Sequence, residues 1–154
     1  MQMEEIQVRP YRPSTDFRAV LDAQCDLYSL NFPRFVCTPQ FLAEQGARLR
    51  QAARRPYEHQ LFVLDDGGQV AGFIWTVIRM DLQGVFGSVD QVYLRPGYRG
   101  RRLGERLMEA AHQHLSASGV NYARLFVTDS NQGAVALYRR VGYDVIRMEM
   151  ERPL

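Results

Sequence analysis

The sequence contains no lysine, and all nineteen of its basic residues are arginine. A nucleotide-binding P-loop of the pattern G-x-x-x-x-G-K-[ST] is therefore excluded, and the dinucleotide fingerprint G-x-G-x-x-G does not occur either. The only cysteines are Cys25 and Cys37, which have no C-x-x-C spacing or histidine partner. This pattern supports neither a disulfide framework nor a zinc site, and with no metal-ligand spacing among the three histidines we expect no metal.

Long apolar runs are also missing. No uncharged apolar stretch approaches the ~18 residues of a membrane span, and the N-terminus MQMEEIQVRPYR lacks the basic-then-apolar order of a secretion signal. We therefore expect a cytoplasmic protein, and we attribute the absence of lysine to the codon bias of a bacterial source. With 154 residues, a net charge of +2 and no internal linker, the chain is expected to form a single domain over residues 1–154.

A turn rich in arginine and glycine lies between a predicted strand and a predicted helix; we call residues 95–106 the arginine turn. Its arginines are Arg95, Arg99, Arg101, Arg102 and Arg106. The first turn of a helix has backbone N–H groups without intrahelical partners, and the helix dipole adds positive potential there. Gly100 and Gly104 would let a ligand approach the backbone. We interpret this segment as a pyrophosphate-binding site.

Two motifs resemble those of the GNAT superfamily of N-acyltransferases. The segment RGRRLG at 99–104 is similar to the acyl-CoA-binding signature [QR]-x-x-G-x-[GA], with Arg102 where the family has glycine. A right-handed helical backbone at that position would tolerate arginine. The segments 125–127 and 131–143 resemble the family pattern L-x-V … N-x-x-A-x-x-L-Y-x-x-x-G-[FY], at a family-like distance from the first motif.

The element pattern agrees with that resemblance. Hydrophobic periodicity and turn residues predict the order β-α-α-β-β-β-α-β-α-β. The predicted strands are 6–9, 59–64, 70–80, 88–94, 122–128 and 143–151, and the predicted helices are 14–30, 38–54, 103–118 and 132–140. The helix after the arginine turn would form a right-handed crossover, so the strands on either side of it should be parallel. The expected fold is α/β, with a GNAT-like mixed central sheet and helices on both faces.

The resemblance implies acetyl-CoA as co-substrate and assigns residues to it. The expected CoA-binding residues are Val92, Tyr93, Leu94, Arg99, Gly100, Arg101, Arg102, Leu103, Gly104, Asn131 and Ala134. Asn131 is also a good helix N-cap on sequence grounds, and both roles are compatible.

The catalytic candidates are Tyr138 and Asp90. The resemblance implies that Tyr138 protonates the departing thiolate of CoA; the alternative is an aromatic residue that packs on the sheet. An alkyl amine is mostly protonated at neutral pH, so attack on a thioester needs a base. Asp90 lies in a stretch similar to the family's acid-bearing strand and would act directly or through water; alternatively it is a polar strand residue without a role. Asp129 and Asp81 are weaker candidates.

The acceptor is expected to be a primary amine of a small molecule or of a peptide or protein, and Tyr28, Phe32, Trp75 and Asp90 are candidates for its pocket. Asp22, Asp26 and Asp81 hint at a cationic small molecule. Two other readings stay open: a CoA-binding regulatory domain without turnover, and a nucleic-acid-binding module that uses the arginines. We expect neither nucleic acid nor membrane as a partner, and leave a homodimer open.

Overall fold

The structure is a computed structural model that describes residues 5–154; the first four residues of the N-terminal stretch lie outside the described part. Its centre is a sheet of five strands in the order β1-β2-β3-β4-β5. The strands are β1 (Gln7–Pro10), β2 (His59–Asp66), β3 (Gln69–Asp81), β4 (Gly84–Leu94) and β5 (Ala123–Arg124). The first four strands are antiparallel neighbours, and β5 pairs with β4 in parallel, which confirms the predicted crossover.

Within the described residues, five α-helices cover the sheet: α1 (Pro13–Asp22), α2 (Gln24–Asn31), α3 (Pro39–Ala53), α4 (Leu103–Ala117) and α5 (Gln132–Arg140). Helix α3 begins as its sequence predicts, with Pro39 at the first position and the hydroxyl of Thr38 accepting from the N–H of Phe41 at 3.1 Å. A short 3-10 turn, Pro96–Tyr98, lies between β4 and α4.

The core has one cluster on each face of the sheet. On one face, α1, α2 and α3 pack against residues such as Phe73, Trp75 and Tyr93. On the other face, Leu107 and Met108 of α4 pack against Ile74 and its neighbours. Helices therefore lie on both faces, as the α/β prediction requires.

The N-terminal helix differs from its prediction. The single helix expected over 14–30 is two helices, which are separated at Ala23, the C-cap of α1 and the N-cap of α2. Helix α1 begins at Pro13, one residue before the predicted range. The carboxylate of Asp16 accepts from the backbone N–H of Arg12 at 2.7 Å and from the guanidinium of Arg9 at 2.8 Å, which satisfies donors at the helix start.

The C-terminal strands were predicted incorrectly. The strand expected over 122–128 is reduced to Ala123–Arg124, and residues 143–151 form no strand. Alternating apolar residues favour a strand, but a strand exists only where a neighbouring edge accepts its backbone hydrogen bonds. A two-residue β5 offers little edge, and Ile146, Met148 and Met150 are accordingly exposed.

Candidate active site

The arginine turn leads into α4 with a left-handed backbone. Arg102 is the N-cap of α4 and has φ 57° and ψ 20°. The expectation of a right-handed conformation at this position is therefore wrong. A left-handed conformation brings the side chain of an L-residue into conflict with its own backbone, which glycine avoids. The left-handed conformation thus explains why the family motif has glycine at this position, and arginine here has a steric cost in free energy.

Gly104 has a packing role that the sequence did not reveal. A Cβ added at Gly104 would lie 2.9 Å from Cδ2 of Leu137 in α5, and 3.7 Å from Cδ1 of Leu94. The absence of a side chain therefore lets α5 approach α4 closely, independently of any phosphate. By contrast, Gly100 has φ +75° and open space around it, so its requirement is conformational.

Arg99, the first residue of the signature, connects the arginine turn to α2. Its Nε donates to the carbonyl of Leu94 at 2.9 Å, and its Nη2 donates to Asp26 at 3.1 Å. The same carboxylate accepts from the hydroxyl of Tyr93 at 2.6 Å. Burial, and next the hydrogen bond to Asp26, raise the pKa of Tyr93 to about 12, so this phenol stays protonated.

The other arginines of the turn contact different groups. Arg101 lies over the ring of Tyr98, Arg102 is 3.7 Å from Glu105, and Arg106 donates to the carbonyl of Ile6 at 2.8 Å. The first N–H groups of α4 follow this turn in the chain, and a helix start is a place where an anion can bind; binding of pyrophosphate here stays a prediction.

Strand β4 has an open edge beside the arginine turn. β5 pairs only with Gly87 and Ser88, so no described strand neighbours β4 on that side from residue 89 to residue 94. This edge carries Val92, Tyr93 and Leu94, which the resemblance assigns to the binding of CoA. Backbone groups on this open edge can hydrogen-bond a ligand.

Asp90 occupies a bulge in β4. Gln91 pairs with Trp75 and Val89 pairs with Thr76, so Asp90 is the extra residue between them. Its carboxylate accepts from the hydroxyl of Ser88 at 2.6 Å and from Nη2 of Arg79 at 2.7 Å.

A second guanidinium completes this group, which we call the Asp90 cluster: Asp90, Ser88, Arg79 and Arg48. Nη2 of Arg48 is 3.9 Å from Oδ2 of Asp90, and Nη1 donates to Gln45 at 3.1 Å. The side chain of Asp90 is only 13% exposed, so the carboxylate interacts with its arginines at reduced solvent screening. The sequence missed both arginines, because residues 48, 79 and 90 share no local motif.

Tyr138 lies on the α4 side of the sheet. It is half-buried among apolar residues, with its ring centroid 6.0 Å from that of Tyr143. Burial raises the pKa of Tyr138 to about 12, so the phenol keeps its proton throughout the neutral range. Asn131 caps α5 as predicted, accepting from the N–H of Ala134 at 3.3 Å, and its amide donates to Asn31 of α2 at 3.3 Å.

The candidate acceptor residues fall into two environments. Tyr28 and Phe32 belong to an aromatic group with Phe35 and Phe41, in which the rings of Tyr28 and Phe32 stack with their centroids 5.5 Å apart.

Trp75 is 1% exposed, so it is a core residue and does not line an open pocket. Its Nε1 donates to Nδ1 of His59 at 3.1 Å, which is possible because burial lowers the pKa of His59 and keeps it neutral. All three histidines of the chain are half-buried.

The three acidic residues that hinted at a cationic acceptor each lie near an arginine. Asp22 is 4.0 Å from Arg18, Asp26 is 3.1 Å from Arg99, and Asp81 is 2.6 Å from Arg124. The cationic acceptor stays a prediction.

The cysteine expectation is also corrected. Cys25 of α2 and Cys37, just before α3, form a disulfide with their Cα atoms 5.4 Å apart. Their separation of twelve residues carries no recognised signature, but the turn between α2 and α3 brings them together. The disulfide closes the segment that contains Phe32 and Phe35.

Within residues 5–154, no three histidine, cysteine or acidic side chains come together as metal ligands. None of the helices in that range has the length and apolarity needed to cross a membrane.

Comparison with known proteins gives one family. Residues 21–143 match the model of the Acetyltransferase (GNAT) family. The chain is 30% identical to mycothiol acetyltransferase of Thermobispora bispora over 149 residues, which is 91% of this chain and 47% of that protein. It is 32% identical to mycothiol acetyltransferase of Streptomyces bingchenggensis over 153 residues, 96% of this chain and 46% of that protein. The chain thus spans about half the length of these curated relatives.

A solved structure shares the fold. It is a protein of Clostridium acetobutylicum described as a predicted acetyltransferase with acetyl-CoA, with a TM-score of 0.78 at 10% identity, covering 97% of this chain and 96% of that chain.

Proposed function

Because this chain belongs to the Acetyltransferase (GNAT) family, we propose that it transfers the acetyl group of acetyl-CoA to a primary amine. The observation that carries the proposal is the arrangement at the arginine turn. The open edge of β4 is followed, after the arginine turn, by the N-terminus of α4, which has no side-chain cap. An extended thioester can lie along such an edge while its pyrophosphate meets the helix start. The proposal treats residues 1–154 as one catalytic domain and places it in the cytoplasm.

The proposed reaction is direct attack of the amine on the thioester carbonyl. Backbone N–H groups near Val92 and Leu94 would stabilise the oxyanion of the tetrahedral intermediate. Tyr138 would then donate its proton to the departing thiolate, which leaves as CoA thiol. Its raised pKa makes it a weaker acid than an exposed phenol, but ensures that the proton is present at any physiological pH.

The attacking amine must lose a proton, and we propose that Asp90 assists through an ordered water. Its two carboxylate oxygens already accept from Ser88 and Arg79, which leaves fewer acceptor positions for direct contact with the amine. A water in this position could pass the proton of the ammonium to solvent while Asp90 orients it.

The activity is tested with purified protein, acetyl-CoA and a panel of amines. The panel contains amino acids, amino sugars, polyamines, peptides and, because of the relatives' name, mycothiol-type acceptors. Free thiol release and the acetylated product should both appear, with intersecting initial-velocity lines as expected for a ternary complex. A ping-pong pattern would contradict direct attack.

CoA titration by calorimetry separates the alternatives. Binding of CoA without turnover of any amine would favour a regulatory CoA-binding domain. A protein that does not bind CoA would contradict the proposal, and binding of nucleic acid with steep salt dependence would then favour the third reading.

A further inference from the structure

The Asp90 cluster has an excess of positive charge. Arg48 and Arg79 both direct a guanidinium nitrogen at one carboxylate oxygen, Oδ2 of Asp90, at 3.9 Å and 2.7 Å. Two cations and one anion leave a net charge of +1. His59 carries no negative charge in either protonation state and does not offset this charge.

Both guanidinium groups remain accessible from solvent. The side chains of Arg48 and Arg79 are 42% and 48% exposed, whereas Asp90 beneath them is 13% exposed. Among residues 5–154, the one hydrogen bond that the guanidinium of Arg79 donates goes to Asp90. A guanidinium has five N–H donors, so most of those on Arg79 can bind another oxyanion.

The orientation of Arg48 is fixed by its surroundings. Its guanidinium carbon lies 5.3 Å from the ring centroid of Trp75, and its Nη1 donates to Gln45 and, at 3.4 Å, to the hydroxyl of Tyr28. A guanidinium that is stacked and hydrogen-bonded loses little further entropy when it binds an anion.

The cluster is adjacent in the chain to the backbone assigned to the thioester. Asp90 is two residues before Val92, where the open edge of β4 carries the proposed oxyanion donors. A group bound by Arg48 and Arg79 would therefore belong to the acceptor, since the arginine turn that would hold the pyrophosphate of CoA follows the other end of β4.

We propose that Arg48 and Arg79 bind an oxyanion group of the acceptor, a carboxylate or a phosphate, so that the substrate is an amine that also carries an anion. The inference rests on the proposed function and names its substrate class. A net positive site disfavours a polyamine or another purely cationic acceptor. It also favours the neutral form of a bound amine, which is the form that attacks the thioester.

The test compares acceptors that differ only in the anion. Glycine is paired with glycinamide, and phosphoethanolamine with ethanolamine, while spermidine represents cationic amines. For each acceptor, kcat/KM of Arg48→Gln and Arg79→Gln is divided by that of the unaltered protein, so that differences in amine reactivity cancel. Arg18→Gln is the matched control, because Arg18 lies on α1 and is 80% exposed.

Each cluster variant should lower kcat/KM for the anionic acceptors about tenfold or more, as expected for the loss of a charged hydrogen bond. On the neutral partner of each pair the loss should be clearly smaller, because any effect of the variant on Asp90 is common to both members of the pair whereas the contact with the anion is not, and KM for acetyl-CoA should not change. Arg79→Lys should restore part of the preference, because it keeps the charge. The two pairs distinguish a carboxylate from a phosphate.

Equal losses on anionic and neutral acceptors would overturn the proposal and make the cluster a structural ion pair. A preference of the unaltered protein for spermidine would overturn it as well. If no amine is acetylated, the same amines are titrated into CoA-saturated protein by calorimetry. Arginine-dependent binding of the anionic amines would then support the inference while the proposed reaction fails, and no binding would overturn it.

Discussion

Arginine side chains concentrate in two regions of this molecule, the arginine turn and the Asp90 cluster, and the two are assembled differently. The arginines of the turn lie within twelve consecutive residues, 95–106, and most of them are exposed around a helix start. The cluster collects its arginines from α3 and β3 around a carboxylate of β4 that is only 13% exposed. In the arginine turn, the arginines are close together because they are neighbours in the chain. In the Asp90 cluster, the packing of α3, β3 and β4 brings the charged residues together. Substitutions should therefore act locally in the first region and on specificity and pH dependence in the second.

The largest effect is expected at the thioester end, from Tyr138→Phe. Loss of the proton donor should lower kcat about a thousandfold, while KM for acetyl-CoA stays the same, because the proton is transferred only in the transition state. The unaltered enzyme should show no loss of kcat from ionisation of Tyr138 below about pH 10, since its pKa is about 12. Steady-state kinetics across pH provide the measurement. A variant with unaltered kcat would reduce Tyr138 to a packing residue.

The next effect concerns the acceptor side and its disulfide. Replacing both cysteines, Cys25→Ser with Cys37→Ser, should lower the free energy of unfolding by about 3 kcal/mol, because the cross-link no longer restricts the unfolded chain. Urea unfolding measures the difference, and a reducing agent should lower the stability of the unaltered protein to the level of the double variant. Equal stability with and without reductant would show that the pair does not contribute.

Asp90→Asn should act most strongly at low pH. There the acceptor is almost entirely ammonium, so kcat/KM should fall about tenfold or more when the assisting carboxylate is lost. As the pH approaches the pKa of the amine, the neutral form becomes abundant and the two proteins should converge. Profiles of kcat/KM from pH 6 to 10 on one amine give the answer. If the ratio of the two kcat/KM values stays constant with pH, Asp90 does not assist proton transfer and only holds Arg79 in place.

The smallest effect is expected in the arginine turn, and it is a gain. Arg102→Gly should raise the free energy of unfolding by about 1 kcal/mol, because glycine adopts φ 57° without the steric cost that arginine carries. Thermal unfolding detects the change, and Arg101→Gly, outside the left-handed position, is the control. Equal or lower stability of the Arg102 variant would mean that the 3.7 Å contact of Arg102 with Glu105 outweighs the backbone cost.

The two regions also differ in how well the sequence predicted them. The arginine turn, the Asn131 cap and the crossover to β5 depend on neighbouring residues, and local patterns predicted each of them. The role of Gly104 was not visible, because its contact Leu137 is distant in the chain. Likewise, nothing local relates Arg48 to Asp90 or Cys25 to Cys37. The prediction of a strand over 143–151 was wrong for a related reason. Alternating apolar residues show that a segment favours the strand conformation, whereas strand pairing depends on a free edge in another part of the chain.

The bulge in β4 also determines which face of the sheet each later residue of the strand points to, which we call the phase of the strand. Ser88 and Tyr93 are five residues apart, and in an uninterrupted strand they would point to opposite faces. Each is opposite a residue of the same core cluster, Val77 and Phe73, because Asp90 adds one residue between them. A deletion at position 90 would thus direct Tyr93 toward α4 and separate it from Asp26, whereas a substitution there leaves the phase intact. The extra residue at position 90 and the carboxylate of its side chain therefore have separate roles. The strand needs a residue at this position, but its orientation does not depend on which side chain that residue carries.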